Sequence, residues 1–217
     1  MTKNTLLLIF IFISAFVNAQ FISDASSNRP FYQIPSNIQG NPFYSSVWMP
    51  GIVRTDRGIE YSNLLLKFDV YNNQLVFSVN DSMFRFTEPV KEFLLSSPSN
   101  EKTKPVKFMK ASFVHHLLPG GYVEEICTGK LNFYKNYKKV VIVIAAYNSV
   151  GTKQFEDKTT YHIIKDSNLT SINLNKKQAE EIFKDKWIQV AAYMEQNQQS
   201  IKKEEGWIAA IKYYNSL

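Results

Sequence analysis

The chain has 217 residues, of which 45% are hydrophobic, 14% aromatic and 20% charged. This composition excludes an intrinsically disordered chain and is typical of one globular domain with a substantial core. The formal net charge of +6 is a mild bias. A lysine-rich solvated surface explains it, as would contact with acidic glycans or anionic lipid head groups. Cys127 is the only cysteine, so no intramolecular disulfide can form and packing alone must stabilise the fold.

Residues 1–19 have the pattern of a secretory signal peptide. Lys3 supplies a positive charge, residues 6–17 form an almost unbroken apolar run, and Val17-Asn18-Ala19 resembles a signal-peptidase site. The run is about twelve residues long, whereas a membrane-spanning helix needs about twenty. We therefore predict cleavage after Ala19, a periplasmic or outer-membrane-associated location, and no transmembrane segment in the mature chain.

Residues 20–46 are polar and are interrupted by Pro30, Pro35 and Pro42, which is typical of an extended segment. Five aromatic residues also lie in this segment: Phe21, Phe31, Tyr32, Phe43 and Tyr44. A free linker rarely carries so many rings. We therefore predict an N-terminal strap that docks in part on a domain beginning near residue 47.

Residues 47–174 have the sequence pattern of an antiparallel meander. Short apolar or alternating runs are separated by turn signals such as Asp56-Arg57-Gly58 and Asn72-Asn73. The predicted strands cover residues 51–55, 59–71, 74–79, 83–87, 90–95, 106–109, 122–127, 130–135, 140–147 and 159–164. Residues 140–146 contain no charged side chain and are apolar throughout, which predicts a strand buried on both faces.

Residues 175–217 change to a helical period behind a possible Asn175 N-cap. The residues at helical spacing are Ala179, Ile182, Phe183, Ile188, Ala191, Ala192, Met194, Trp207, Ile208, Ala210, Ile211 and Tyr214. The predicted fold class is thus α+β. An antiparallel meander forms a curved sheet or a partial barrel, and short C-terminal amphipathic helices pack on the same domain.

Two groups of residues carry a resemblance to a known group of proteins. The first group is Gly51-Ile52-Val53, Gly58, Tyr61, Leu66-Lys67-Phe68-Asp69 and Asn73-Gln74-Leu75, and the second is the ending Tyr213-Tyr214-Asn215-Ser216-Leu217. Together they resemble uncharacterised exported β-rich proteins of Bacteroidota. That group has no established activity, so the resemblance implies only the envelope of a diderm cell.

The histidines are the natural starting point for catalytic or metal chemistry, because the sequence has no phosphate loop, dinucleotide fingerprint, nucleophile elbow or zinc-protease motif. His115 and His116 could share a metal only in an irregular loop, with His162, Glu124 or Glu125 as a further ligand. The default interpretation is packed or solvated histidines, and we predict no metal and no cofactor.

Cys127 could act as a nucleophile only beside a histidine in an electropositive, partly exposed pocket. Its position at a predicted strand end favours a small packed residue instead. Glu124 and Glu125 are adjacent in a predicted strand and would diverge, which argues against a glycosidase pair. We assign no catalytic residue. An uncharacterised hydrolase is nevertheless the third functional alternative, after a binding module and a carrier.

A cluster of lysines interleaved with aromatics, residues 130–139, is the most conspicuous polar feature. The candidates for contact with an acidic glycan or a lipid head group are Lys130, Lys135, Lys138 and Lys139. Nucleic acid is not expected for an exported protein, and a solvated edge strand explains the same pattern. Asp81-Ser82-Met83 is similar to an acceptor pattern for O-glycosylation in Bacteroidota, which makes Ser82 a candidate modification site.

These observations predict a non-catalytic exported cell-envelope protein that acts as a binding or interaction module, with an envelope protein or a surface polymer as its partner. The alternative is a periplasmic carrier of an apolar ligand held in a cavity of the curved sheet. A deep apolar cavity would favour the carrier. A filled core with an exposed aromatic patch would favour the interaction module.

Overall fold

The computed structural model describes residues 30–99, 104–145 and 151–217, and the predicted signal peptide lies outside these ranges. The strands are β1 (Met49–Thr55), β2 (Glu60–Asp69), β3 (Gln74–Val79), β4 (Ser82–Arg85), β5 (Val90–Leu95), β6 (Val106–Lys110), β7 (Tyr122–Cys127), β8 (Leu131–Ile144), β9 (Thr152–Lys165) and β10 (Asn168–Ile172). The helices are α1 (Ala111–Val114), α2 (Lys176–Ile182), α3 (Trp187–Gln196) and α4 (Glu204–Ser216).

The strands form one open antiparallel sheet in the order β10-β9-β8-β7-β6-β5-β1-β2-β3-β4. This confirms the predicted α+β class, with an antiparallel sheet followed by short helices that lie mainly at the C-terminal end. One step departs from a simple meander, because β5 pairs with β1 rather than with β4. β1 is thereby placed in the interior of the sheet, and β4 and β10 become its edges.

Two tight turns set the register of the hairpins at both ends of the sheet. Asn80 and Asp81 join β3 to β4 with φ angles of 47° and 62°, and Asp166 and Ser167 join β9 to β10 with 50° and 62°. Two-residue hairpins favour positive φ at both central positions, and Asn and Asp tolerate that conformation well. These short polar turns therefore bring consecutive strands directly into antiparallel pairing.

The C-terminal helices cover the end of the sheet formed by β7, β8 and β9. Leu131, Phe133 and Ile163 of the sheet pack there against Phe183 and Trp207, and all five side chains are fully buried. We call this the helix-covered cluster. It also includes Cys127, Ile172, Ala179, Ile182, Val190, Met194, Ala210, Ile211 and Tyr214.

The helix prediction is confirmed at its start, where the Asn175 side chain accepts a hydrogen bond from the backbone N–H of Gln178. It is wrong at Ile188, which is 85% exposed. Val190 and Met194 are the buried residues of α3, because that helix begins at Trp187 and turns this face toward the core. Among the described residues, none of the helices has the length and apolar character needed to cross a bilayer.

A second cluster, in which five of the twelve buried members are phenylalanine, lies on strands β1 to β6. We call it the aromatic cluster. Its buried members are Met49, Val53, Leu66, Phe68, Val70, Leu75, Phe77, Phe84, Val90, Phe93, Leu95 and Phe108. The Phe93 and Phe108 rings stack with centroids 4.9 Å apart, and Phe68 lies 5.4 Å from Phe93. The interior of this cluster is thus filled by its own rings.

The strap, as far as it is described, lies against the sheet. Tyr32 and Phe43 are buried, and the Tyr32 hydroxyl donates a hydrogen bond to the buried carboxylate of Asp69. Burial, reinforced by this carboxylate, raises the pKa of Tyr32 well above its usual range. The Arg85 backbone N–H donates to the carbonyl of Pro30 at 3.1 Å, so the strap covers part of the β4 edge.

A charged row crosses the opposite face of the sheet. Five adjacent strands each contribute one charged side chain, and the charges alternate in sign. In order across the sheet they are Glu60 of β2, Arg54 of β1, Glu92 of β5, Lys107 of β6 and Glu125 of β7. Lys107 lies 3.6 Å from Glu92 and 3.2 Å from Glu125. Cross-strand pairs of opposite charge support the sheet, whereas the exposed members contribute little individually. We call this the outer face and the face with the two clusters the inner face.

The prediction for residues 140–146 is wrong over its described part. Val143 is 63% exposed and Ile144 is 50% exposed. β8 continues without a break to Ile144 and pairs with β9 as far as Ile144 and Thr152. Its pairing with β7 ends at Lys135, so this stretch extends beyond the sheet. We call residues 138–144 and 152–158 the β8–β9 arm.

Candidate functional site

An apolar groove with a volume of about 330 Å³ opens where β2 begins and β3 ends. It is lined by Tyr61, Leu64, Phe77, Val79, Arg85, Phe86, Thr87 and Glu88. Five of these side chains are apolar or aromatic and three are polar. We call it the aromatic groove. Its volume is at the lower end of the range for sites that hold small ligands or single anchoring side chains.

Strand alternation explains why the groove opens here. Side chains two residues apart on a strand share a face, so Phe77 and Val79 follow Leu75 on the inner face of β3. Leu75 is 3% exposed and Phe77 is 9% exposed, whereas Val79 is only half-buried. The aromatic cluster therefore extends to the surface at this end of β3.

Phe86 forms the opposite wall, immediately after β4. Its ring centroid lies 4.8 Å from that of Phe77 and 6.2 Å from that of Tyr61. Tyr61 is 37% exposed. The rings of Phe77, Phe86 and Tyr61 thus form a row from the buried core to the surface. The exposed end of this row is an aromatic patch on a filled core.

Glu88 places an unsatisfied acceptor at the groove. Its Oε2 atom is buried and has no hydrogen-bond partner within the described part of the chain. A buried acceptor without a partner costs about 1–3 kcal/mol. A ligand that brings an N–H or O–H group would remove this cost. The groove can therefore recognise an apolar or aromatic group attached to a hydrogen-bond donor.

A separate polar network lies on the inner face between the two clusters. The Tyr137 hydroxyl donates to Glu124 at 2.6 Å and is also hydrogen-bonded to Tyr44 of the strap. Beside it, Glu204 at the start of α4 accepts hydrogen bonds from Lys135 at 2.6 Å and from Tyr161 at 2.7 Å. The network joins the strap, the sheet and α4.

Burial governs the electrostatics of this network. Desolvation raises the pKa of Glu124 above its ordinary value, although the Tyr137 hydrogen bond and the charge of Lys135 oppose that shift. Desolvation and the neighbouring Glu124 carboxylate raise the pKa of Tyr137 far above its usual range. Desolvation and the hydrogen bond to Glu204 likewise raise the pKa of Tyr161. Both phenols are therefore neutral donors at physiological pH.

Glu124→Gln should make the protein more stable at neutral pH. The amide keeps an acceptor for Tyr137 but removes a charge that burial disfavours. Because the pKa of Glu124 is raised in the folded state, ionisation costs stability as the pH rises from the unfolded value of about 4.3 through the folded value. The advantage of the variant should therefore shrink as the pH falls and vanish below about pH 4.

Urea unfolding of both proteins at a series of pH values measures this difference. Glu125→Gln is a matched control, because Glu125 is the adjacent residue of β7 and pairs with Lys107 on the outer face. A stability difference for Glu124→Gln that is independent of pH, or that favours the wild type at neutral pH, would contradict the assignment.

The four candidate lysines do not form one surface. Lys135 and Lys139 lie on the inner face, with side chains 16% and 11% exposed, and they pair with Glu204 and Asp157. Lys138 is exposed on the outer face. Lys130 precedes β8 and lines a charged surface groove with Lys165, Asp166, Glu181, Lys184, Asp185 and Tyr214. Eight residues of extended chain, about 26 Å, separate Lys130 from Lys138.

The histidines occupy two places in the fold. His115 and His116 follow α1, with ring centroids 4.6 Å apart, and His162 is buried in β9. His162 Nδ1 lies 3.0 Å from Ser171 Oγ. Burial lowers the pKa of His162. Within residues 30–99, 104–145 and 151–217, no group of three His, Cys, Asp or Glu side chains could hold a metal ion.

Cys127 is buried in the helix-covered cluster, and desolvation raises the pKa of its thiol. That shift opposes formation of the nucleophilic thiolate. Glu124 lies on the inner face and Glu125 on the outer face, so the adjacent carboxylates diverge as predicted. Ser82 is partly exposed at the first position of β4, directly after the Asn80-Asp81 turn, and its glycosylation stays a prediction.

Sequence reasoning did not find the aromatic groove, because its walls come from three separate segments. One available signal is the alternation of Phe84 and Phe86, which continues a core pattern past the end of a strand toward Pro89. Comparisons of the chain with protein-family models, with curated proteins and with solved structures produced no match.

Proposed function

We propose that this protein is a non-catalytic exported module of the cell envelope, periplasmic or outer-membrane-associated, that binds a protein partner through the aromatic groove. The observation that carries the proposal is the groove itself, a row of rings that reaches the surface beside the unsatisfied carboxylate oxygen of Glu88. An extended peptide supplies both complementary groups, because its side chains anchor in apolar pockets and its backbone N–H groups donate.

The filled interior supports a binding module over the alternative carrier. Phe68, Phe93 and Phe108 are at most 1% exposed, and their rings occupy the space between the strands that a carried apolar ligand would need. The groove holds about 330 Å³, which suits one or two side chains. Export rests on the signal-peptide pattern of residues 1–19.

Selection of peptides from a displayed random library tests the proposal. We expect enriched peptides with an aromatic or large aliphatic anchor, and we expect their affinity to fall about tenfold or more in Tyr61→Ala and Phe86→Ala, as for hot-spot residues. Tyr71→Ala is the matched control, since Tyr71 is 39% exposed against 37% for Tyr61 and lies outside the groove.

Glu88→Ala separates a binding role from a structural one. The substitution removes a buried acceptor that has no hydrogen-bond partner among the described residues, so the free protein should be equally stable or more stable. Peptide affinity should nevertheless fall. Loss of stability together with unchanged affinity would assign Glu88 to the fold instead.

Two results would overturn the proposed function. In the first, no peptide is enriched, while the apolar fluorophore N-phenyl-1-naphthylamine binds and is displaced by fatty acids, which is the behaviour of a carrier. In the second, peptides are enriched but bind Tyr61→Ala and Phe86→Ala as tightly as the wild type.

A further inference from the structure

The β8–β9 arm presents aliphatic side chains that neither the sheet nor the helices cover. Val143 and Ile144 are 63% and 50% exposed, and Ala145 after them is exposed as well. In this part of the arm β8 pairs only with β9. An exposed aliphatic strand end is a liability in water unless a surface covers it.

The same arm carries positive charge that its own carboxylates neutralise only in part. Lys138 and Lys158 are directly opposite each other in the β8–β9 pairing, an arrangement of like charges that destabilises a hairpin. Lys138 has no ion-pair partner in the described ranges. The acid paired with Lys158 is Glu156 at 3.8 Å, and both side chains are about half exposed. Lys153 lies directly opposite Val143 near the tip and is also exposed.

Alternation brings the two features onto one face. Val140, Ile142 and Ile144 follow Lys138 at two-residue intervals, so an aliphatic row and the opposed pair Lys138 and Lys158 share the outer face of the arm. A row of aliphatic side chains bordered by lysines is the composition that binds the interface of an anionic membrane.

We propose that the β8–β9 arm docks on an anionic phospholipid bilayer. Ile142 and Ile144, which lie on the same face as Lys138 and Lys158, enter the boundary between head groups and acyl chains. Lys138 and Lys158 meet the lipid phosphates. Charge complementarity favours this surface over an apolar protein patch, because Lys138 has no ion-pair partner among the described residues and Lys158 has only the half-exposed Glu156 at 3.8 Å.

Vesicle sedimentation tests the proposal with the full mature chain. The vesicles contain phosphatidylcholine alone or equal parts of phosphatidylcholine and phosphatidylglycerol. We expect the wild type to partition onto the anionic vesicles. Partitioning should be about tenfold weaker for Lys138→Glu with Lys158→Glu, and about tenfold weaker for Ile142→Asp with Ile144→Asp.

Matched controls lie in the C-terminal region, residues 175–217. Lys177→Glu with Lys202→Glu makes the same change in net charge at exposed positions, and Ile188→Asp replaces an aliphatic side chain that is 85% exposed. Both should partition like the wild type. Circular dichroism identifies any variant that does not fold.

Four outcomes would overturn the proposal. The wild type could fail to partition onto either vesicle, or partition equally onto both. The lysine control could lose as much binding as the arm variant, which would show attraction by net charge alone. Finally, the aliphatic variant could bind as well as the wild type, which would show that Ile142 and Ile144 stay outside the lipid. None of these outcomes bears on the aromatic groove.

Discussion

Trp207→Ala should destabilise the whole sheet, and not only the C-terminal helices. Trp207 is fully buried in α4 and packs against Phe133 of β8 and Phe183, with ring centroids 6.4 Å and 5.7 Å away. Its indole N–H donates to the carbonyl of Ile201 at 2.7 Å. Truncation of a buried Trp to Ala costs about 3–5 kcal/mol, since a large cavity forms.

Hydrogen exchange under native conditions measures which parts of the protein lose stability in Trp207→Ala. The amides of α4 and those of β1, which lies four strands from β8, should lose the same free energy of protection if the two clusters unfold as one unit. Trp207→Phe is the control, because it keeps a ring in the cluster and loses the hydrogen bond, at a cost of about 1 kcal/mol plus the missing volume. Loss of protection confined to α4 would show that the helices are a separate unit.

Gly121→Ala should be the most damaging small substitution in the loop before β7. Gly121 has a φ of +101°, which an L side chain rarely adopts, and a Cβ there would lie 1.3 Å from Nδ2 of Asn73. Asn73 cannot simply move away. Its Nδ2 donates to the carbonyl of Gly120 at 3.2 Å, and its Oδ1 accepts from the backbone N–H of Tyr122 at 3.0 Å.

The combined strain and lost hydrogen bonds should cost about 3 kcal/mol in the free energy of unfolding, measured in urea. Gly120→Ala is the control, since nothing lies within 4 Å of its Cβ position, and it should change stability by less than about 0.5 kcal/mol. In an Asn73→Ala background, Gly121→Ala should cost less, because only the backbone strain remains. Equal costs in both backgrounds would contradict the clash.

Local signals in the chain predict much of the fold. The Asn175 cap, the Asn80-Asp81 turn and the apolar period of α4 each depend on residues close in sequence, and each is where the pattern places it. Such features can be predicted from the sequence because a few neighbouring side chains determine them.

Features that depend on pairing with another strand are not predicted. β10 contains Asn168, Thr170 and Ser171, and its polar composition gives no strand signal without its partner β9. β8 passes through Asn136 and Lys138 without ending, because β9 pairs with it along its full length. The pairing of β5 with β1 is likewise not predicted, because these strands are far apart in the sequence.

The aromatic groove escapes prediction for a related reason. An alternating pattern shows that Phe77 and Phe86 belong on a buried face, but not where that face ends. Only the pairing of β2, β3 and β4 brings Tyr61 beside Phe86 and leaves the groove open between them. The unsatisfied oxygen of Glu88 has no sequence signal at all.

A titration of labelled protein with N-acetyltryptophanamide, followed by NMR, tests the central claim most directly. This probe joins an aromatic ring to amide N–H donors, the two groups that the groove is proposed to recognise. The methyl resonances of Leu64 and Val79 should shift with a common saturation curve, and those of Val190 and Ile211 in the helix-covered cluster should not move. Saturable shifts that map to the helices, or no saturable shift at all, would contradict the claim that the aromatic groove is the binding site.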